Sequence, residues 1–273
     1  MKNFLSLKDC MVLFCSPESC DTMQSLRPSS YPALIFPRPM ESFLMSRLLS
    51  DVEWAQQEHL TKEYVIGHNR LLYKLWNEKT NMMKIVADIN PFSSSYFVWL
   101  DIGAVRHSRF NHQLMVQRWP AEPGVLLLSL AQFTQAELEL GIQTDFSAVP
   151  HLGGGTIGCG LESLAAWHTS YYAMVERYRA TGRFLGKDQN VMASTCLHSK
   201  LCLLVQSDHW FLPHWFSSHE DWFQLQDWFR GDINTNYTRI SDIPIVDLPI
   251  QTIGFFHSFP FRWRLIQKWF CRE

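Results

Sequence analysis

A layered α/β domain with a largely parallel sheet is the fold class the sequence predicts. Three observations predict it: short apolar, β-rich runs alternate with segments of helical period, 47% of the 273 residues are hydrophobic, and no repeat or low-complexity block breaks the alternation. A chain of this size can bury one large core or two small ones. Lys and Arg number 24 against 26 Asp and Glu, a formal net charge of −2, which gives no general electrostatic footprint for nucleic acid.

The elements follow in order. CMVLFCS (10–16) is a short β-rich run closed by Pro17, and PESCDTMQSLRP then has helix-compatible spacing as far as Pro28. The Pro-rich connector YPALIFPRPM (31–40) cannot be a central helix and is expected to lie over the surface. Over 41–61, Leu44, Leu48, Val52 and Ala55 recur at three- and four-residue steps; Leu71, Leu75, Met82, Val86 and Ile89 do so again, giving two amphipathic helices.

NPFSSS supplies turn residues, and YFVWLDIGAVR (96–106) opens as an unbroken apolar run, the pattern of a strand covered on both faces. VLLLSL (125–130) is another buried strand, followed by the helix-like AQFTQAELELG. The glycine-dense HLGGGTIGCG leads into a helix with Leu164, His168, Tyr171, Val175 and Tyr178 on one face, closed by Gly182 as a left-handed cap. GKDQNVMASTCLHS reads as a helix, KLCLLVQ as a strand and HEDWFQLQDWFRG as a last amphipathic helix. The domain is expected to span 1–231, and 232–273 to form an irregular tail.

Seven scattered cysteines with no C-x-x-C pair read mostly as reduced core thiols. The N-terminal apolar run is interrupted by Lys8 and Asp9, unlike a signal peptide, and no run reaches the roughly 18 apolar residues of a membrane span. The expected location is cytoplasmic. The aromatic, basic end FPFRWRLIQKWFCRE offers a peripheral membrane contact through Arg262, Arg264 and Lys268 beside Trp263 and Trp269, with an ordinary docked segment as the plainer reading.

Asp101 ends its strand where ligands of open α/β sheets gather. It either caps the next turn or presents a carboxylate to a hard cation with phosphate ligands. Arg106 could face a diphosphate with its planar fork or be an ordinary surface charge, and Gly103 permits close approach of backbone to a ligand or a simple turn.

Gly153, Gly154, Gly155 and Thr156 match neither a P-loop nor G-x-G-x-x-G; they suit a loop folded against a bulky ligand such as a sugar, or a structural bend. Asp188 and Gln189 stand at a helix N-terminus, favoured there by the dipole alone or placed to grip an acceptor hydroxyl. His209 and His214 read as packed histidines before metal ligands, and neither G-x-S-x-G nor H-E-x-x-H occurs.

Taken in order, LRP, NRLLYKLWNEK, NPFSSSYFVWLDIGAVR, GGGTIGCG and GKDQNVM resemble the HtrL/YibB family of glycosyltransferase-like proteins, associated in bacteria with polysaccharide biosynthesis loci, from near the N-terminus to about Gly231. The resemblance implies a GT-A-like nucleotide-sugar-binding sandwich, transferring sugar from a nucleotide-sugar donor to a glycan acceptor. Asp101 would match the first acid of a D-x-D-like motif, holding Mn²⁺ or Mg²⁺ and, with Gly103 and Arg106, the diphosphate.

Gly153, Gly154, Gly155 and Thr156 would line the substrate cleft, and Asp188 with Gln189 would match the late acidic, catalytic segment. Gly103 stands where a full D-x-D has its second acid, and the chain opens at what reads as the family's second strand, leaving out the first. Those two departures motivate the alternative of a catalytically inactive member that binds a glycan or protein partner. A hydrolase using Asp101 and Asp188 as a carboxylate pair is a third reading, which a separation far above roughly 5–9.5 Å would dismiss.

Overall fold

The computed structural model describes residues 1–61, 63–106, 112–147, 149–207 and 221–243. The chain begins with a small unit: α1 (Lys2–Leu5), β1 (Met11–Cys15), α2 (Cys20–Leu26) and β2 (Ala33–Pro37), with β1 and β2 paired in parallel. Arg27 fastens it. Its buried guanidinium donates to the carbonyls of Leu5 (2.9 Å), Leu7 (2.6 Å), Asp9 (2.7 Å) and Pro32 (3.1 Å), so the buried charge is met by backbone acceptors. The Pro-rich connector is therefore not a bare surface segment. Its middle is β2, and Pro37 is tolerated because it is the last residue of the strand in a two-stranded sheet.

The helix expected over 41–61 is two helices, α3 (Leu44–Leu48) and α4 (Asp51–His59). Ser50 breaks the run by starting α4 with a capping box: its hydroxyl accepts from the Glu53 N–H, and the Glu53 carboxylate accepts from the Ser50 N–H. Arg179 joins this cap at 2.7 Å from Glu53, tying α4 to a later helix. Next comes α5 (Arg70–Ile89), started by Asn69, whose side chain accepts from the N–H groups of Leu71 and Leu72, and ended by Asn90 in the left-handed region. The apolar periodicity assigned to these helices is partly on the wrong side: Val52, Leu71, Leu75 and Ile89 are exposed. Between Tyr73 and Met83, α5 instead buries Lys74, Asn77, Glu78, Lys79 and Thr80.

The remaining elements are β3 (Tyr96–Leu100), β4 (Val125–Ser129), α6 (Gln135–Leu140), β5 (Leu152–Gly160), α7 (Leu161–Ala180), α8 (Asp188–Ser199), β6 (Cys202–Gln206), α9 (Gln224–Arg230) and β7 (Tyr237–Arg239). The five-stranded sheet has the order β3-β5-β4-β6-β7. Only β4 and β6 pair in parallel; β3–β5, β5–β4 and β6–β7 are antiparallel. The fold is α/β with mixed sheets, and the largely parallel sheet is corrected. Alternation of strands and helices along a chain does not say which strands become neighbours, and β5 returns between β3 and β4, antiparallel to both.

β3 is accordingly an edge strand, partly exposed, rather than a strand covered on both faces. Side chains alternate across the sheet. Val125, Leu127, Cys159 and Leu204 join the core shared with α7 and α8, while Leu126, Leu128, Leu203 and Val205 pack on Leu225, Trp228 and Phe229 of α9. The expected inward face of α7 holds at Leu164, Tyr171, Val175 and Tyr178, with His168 partly buried, and Gly182 is left-handed as expected. The sheet runs past Gly231: β7 pairs with β6 and Ile240 is buried in the main core, so the described start of the expected tail packs with the domain. Residues 244–273, with the aromatic, basic end, lie outside the described residues.

The cysteines also depart from expectation. Cys15 is bonded to Cys20, and Cys196 to Cys202, each pair closing the turn between a helix and its neighbouring strand. Spacings of five and six residues carry no signature, because the fold rather than the sequence brings the sulfurs together. Cys10 is free and exposed; Cys159 is free and buried, and burial pushes its thiol up. Peptide mapping of alkylated, unreduced protein should recover Cys15 linked to Cys20 and Cys196 to Cys202; free thiols at these four positions would contradict the pairing.

The Ser50 N–H, then Arg179 and the Ser50 hydroxyl, hold the Glu53 carboxyl down at about 2, below its ordinary 4.5. A depressed acid stabilises the fold above its unfolded value and loses that contribution as pH falls, here from about 4.5 towards about 2. Glu53→Gln should flatten that part of the profile of melting temperature against pH and leave the neutral limb parallel to wild type.

Candidate functional site

The glycine run is a strand, not a loop. Leu126 pairs with Gly158 and Leu128 with Gly153, so two steps along β4 match five along β5, and the ladder is irregular between them. Leu152, Ile157 and Cys159 all enter the same core, which an alternating strand can do only if an odd number of extra residues, here three, shifts its parity.

The bare backbone admits neighbours from both faces. A Cβ on Gly154 would lie 2.7 Å from Asp188 Oδ2, and one on Gly155 would lie 2.8 Å from Phe223 Cε1 and 3.6 Å from Asp101 Oδ2. Gly153 packs on Leu128 and on the Trp222 carbonyl, and Thr156 is buried opposite Leu100.

Asp101 follows directly on β3, its N–H donating to the Gly155 carbonyl at 2.9 Å. The turn after it is closed by backbone, Ala104 N–H to Asp101 O at 2.8 Å, so the carboxylate is not needed as a cap. Instead Oδ1 accepts the Trp99 indole N–H at 2.7 Å and lies 3.3 Å from Lys79 Nζ. Gly103 lies on that turn with open space where a Cβ would be. Arg106 is exposed, with its guanidinium 4.7 Å from the centre of the Phe223 ring, the same ring that covers Gly155.

Asp188 is the first residue of α8. The segment before it is held at Leu185, whose N–H donates to Gln57 at 2.6 Å and whose carbonyl accepts from Asn77 at 2.8 Å. Asp188 Oδ1 accepts the Gln189 N–H at 2.9 Å, and Oδ2 lies 3.1 Å from Lys79 Nζ. Gln189 is buried and reaches the cluster through that N–H.

Lys79 completes the arrangement. It comes from α5, is 4% exposed, and donates to the Gly154 carbonyl at 2.7 Å while touching both aspartates. Burial works against its charge, but Asp188 and Asp101 outweigh burial and hold its pKa above the ordinary lysine value, so the proton stays on Nζ. Burial raises Asp188, against the pull of Lys79. The Tyr171 hydroxyl, which donates to Asn77 at 2.7 Å, is pushed well up by burial and then by Asp188.

The structure thus brings together Asp101, Asp188, Gly154 and Gly155, and sets Arg106 at their edge. It adds Lys79, which sequence reasoning missed. The available signal was NEKTN in the middle of α5, where polar residues occupy turns that an apolar stripe should have filled. His209 and His214 lie outside the described residues.

The residues do not fit Mn²⁺ or Mg²⁺ between the aspartates. Mg²⁺ needs about six oxygen ligands at about 2.0–2.1 Å, and the point between the two carboxylates is filled by an ammonium. Both carboxylates touch one nitrogen, so their separation is not large enough to dismiss a glycosidase-like pair; the 7% exposure of Asp188 and its pairing with Lys79 argue against Asp188 serving as the second, free carboxyl of such a pair. Removing Lys79 should leave Asp188 buried without its counter-charge. Lys79→Met is expected to cost about 3–5 kcal/mol in urea unfolding, part of which Lys79→Met combined with Asp188→Leu recovers.

No family model matches the chain, and searches of curated proteins and of solved structures found no match either.

Proposed function

We propose that the protein is a glycosyltransferase-like protein of GT-A type, related to the HtrL/YibB family, moving a sugar from a nucleotide-sugar donor to a saccharide acceptor at the end of β3. The observation that carries this reading is Asp101: a carboxylate at a strand end, 36% exposed, fixed by Trp99 and Lys79 and flanked by a glycine-bared strand and an aromatic ring. Carboxylates and aromatic faces are what sugars need, the first for hydroxyls and the second for C–H surfaces.

In this reading Asp101 accepts the proton of the acceptor hydroxyl as its oxygen bonds to the anomeric carbon. The bond from that carbon to the nucleoside diphosphate breaks, and Arg106 meets the charge on the leaving group. Asp188, almost fully buried, positions Lys79 and through it Asp101. Gly155, the partly exposed residue of the run, borders the site, with Gly153, Gly154 and Thr156 buried behind it.

A second reading is favoured by Lys79 itself. With the acidic pair already neutralised in part, the site suits a glycan held without turnover by a catalytically inactive protein.

Among the described residues no helix is long and apolar enough to cross a membrane. Cytoplasmic residence goes with reduced thiols, whereas two disulfides favour an oxidising compartment. Calorimetry with UDP-, GDP- and CMP-sugars, followed by assay of nucleotide release over a panel of saccharides, tests the assignment. Donor binding is expected, with turnover lowered by about 100-fold or more in Asp101→Asn. Saccharide binding that ignores nucleotide would select the second reading.

A further inference from the structure

We propose that the Lys79 ammonium is the resident cation of the acidic pair, so that no divalent metal sits between Asp101 and Asp188 when the site binds a ligand. The ammonium donates to the Gly154 carbonyl at 2.7 Å and to Asp101 Oδ2 at 3.4 Å, and pairs by charge with Asp188 Oδ2 at 3.1 Å and Asp101 Oδ1 at 3.3 Å. A divalent ion on the same oxygens would stand within a few ångströms of a fixed positive charge, at a depth where water screens little.

The turn of α5 that carries Lys79 is held in place. Its neighbours on α5 are pinned on both sides: Glu78 accepts from the N–H groups of Leu44 and Met45 at 3.0 Å and from Arg38, and Thr80 accepts from the Trp167 indole at 3.2 Å. Asn77, two residues before Lys79, joins Leu185 to Tyr171. Swinging Lys79 aside would leave the Gly154 carbonyl and Asp188 to be satisfied by the incoming ion alone. Gly154 belongs to the same device, since any side chain there would occupy the space of the Asp188 carboxylate.

The inference rests on the glycosyltransferase-like reading only for what the ligand is. Its test needs no sugar or nucleotide, so failure of one leaves the other standing. Mn²⁺ is titrated into the full chain at pH 8 and free Mn²⁺ is followed by electron paramagnetic resonance. Wild type is expected to show no site tighter than about 1 mM that Asp101→Asn removes.

Lys79→Ala, which frees both carboxylates and the Gly154 carbonyl, is expected to gain one Mn²⁺ per chain at least about tenfold tighter, lost again when Asp101→Asn is added. One Mn²⁺ bound to wild type in the micromolar range and abolished by Asp101→Asn would overturn the proposal, as would a folded Lys79→Ala that gains no site. If Lys79→Ala does not fold, the comparison of wild type with Asp101→Asn decides alone.

Discussion

One buried charge organises this molecule. Lys79 leaves α5 in the middle of its length and ends where β3, β5 and α8 converge, with Asp101, the Gly154 carbonyl and Asp188 each supplying an acceptor. A lysine so deep is costly unless paired and hydrogen-bonded, and every one of those partners has to be in place at once. The end of β3, the irregular part of β5 and the start of α8 are therefore positioned by a common requirement. Loss of any one partner leaves charge or a backbone acceptor unmatched inside the protein.

That requirement explains the polar face of α5. Its inward residues act as struts rather than as an apolar stripe: Glu78 caps the start of α3 and takes Arg38, Asn77 holds Leu185 and Tyr171, and Thr80 takes the Trp167 indole. A helix that buries so many polar groups is fixed in rotation and along its axis, because each hydrogen bond tolerates little displacement. The glycines of β5 are the complementary half. They thin the strand where Asp188 presses on one face and Phe223 on the other, at the point where the ladder with β4 loses its register.

Much of this was legible in the sequence, and the boundary has a physical cause. Strand ends and helix starts announce themselves locally, so Asp101 before Ile-Gly and Asp188 after Gly-Lys were readable as positions, and Gly182 as a cap. Relations between distant segments do not. Nothing in YFVWL says that its neighbour is β5 rather than another β3-like strand, and nothing in ALIFP reveals a partner in β1. Periodicity failed on α5 because it assumes that polar residues face water; Lys79 and Glu78 point inward, and Leu71 and Leu75 are left outside. The sulfurs of Cys196 and Cys202 likewise meet only once α8 has turned back into β6.

The engagement of Lys79 also sets the electrostatic problem for any ligand that approaches Asp101. Two carboxylates sharing one ammonium keep a net negative charge, and only Asp101 carries it towards solvent. A neutral, hydroxyl-rich ligand can use that charge directly as a hydrogen-bond acceptor. A diphosphate cannot; it needs positive charge from the rim, and Arg106, held over Phe223, is the described cation placed to give it. Under the proposed function, discrimination between a glycan alone and a nucleotide-linked sugar would fall on Arg106 rather than on the acidic pair. In that reading Asp101 would fix where a sugar hydroxyl is gripped, and Arg106 would determine whether a charged donor can accompany it.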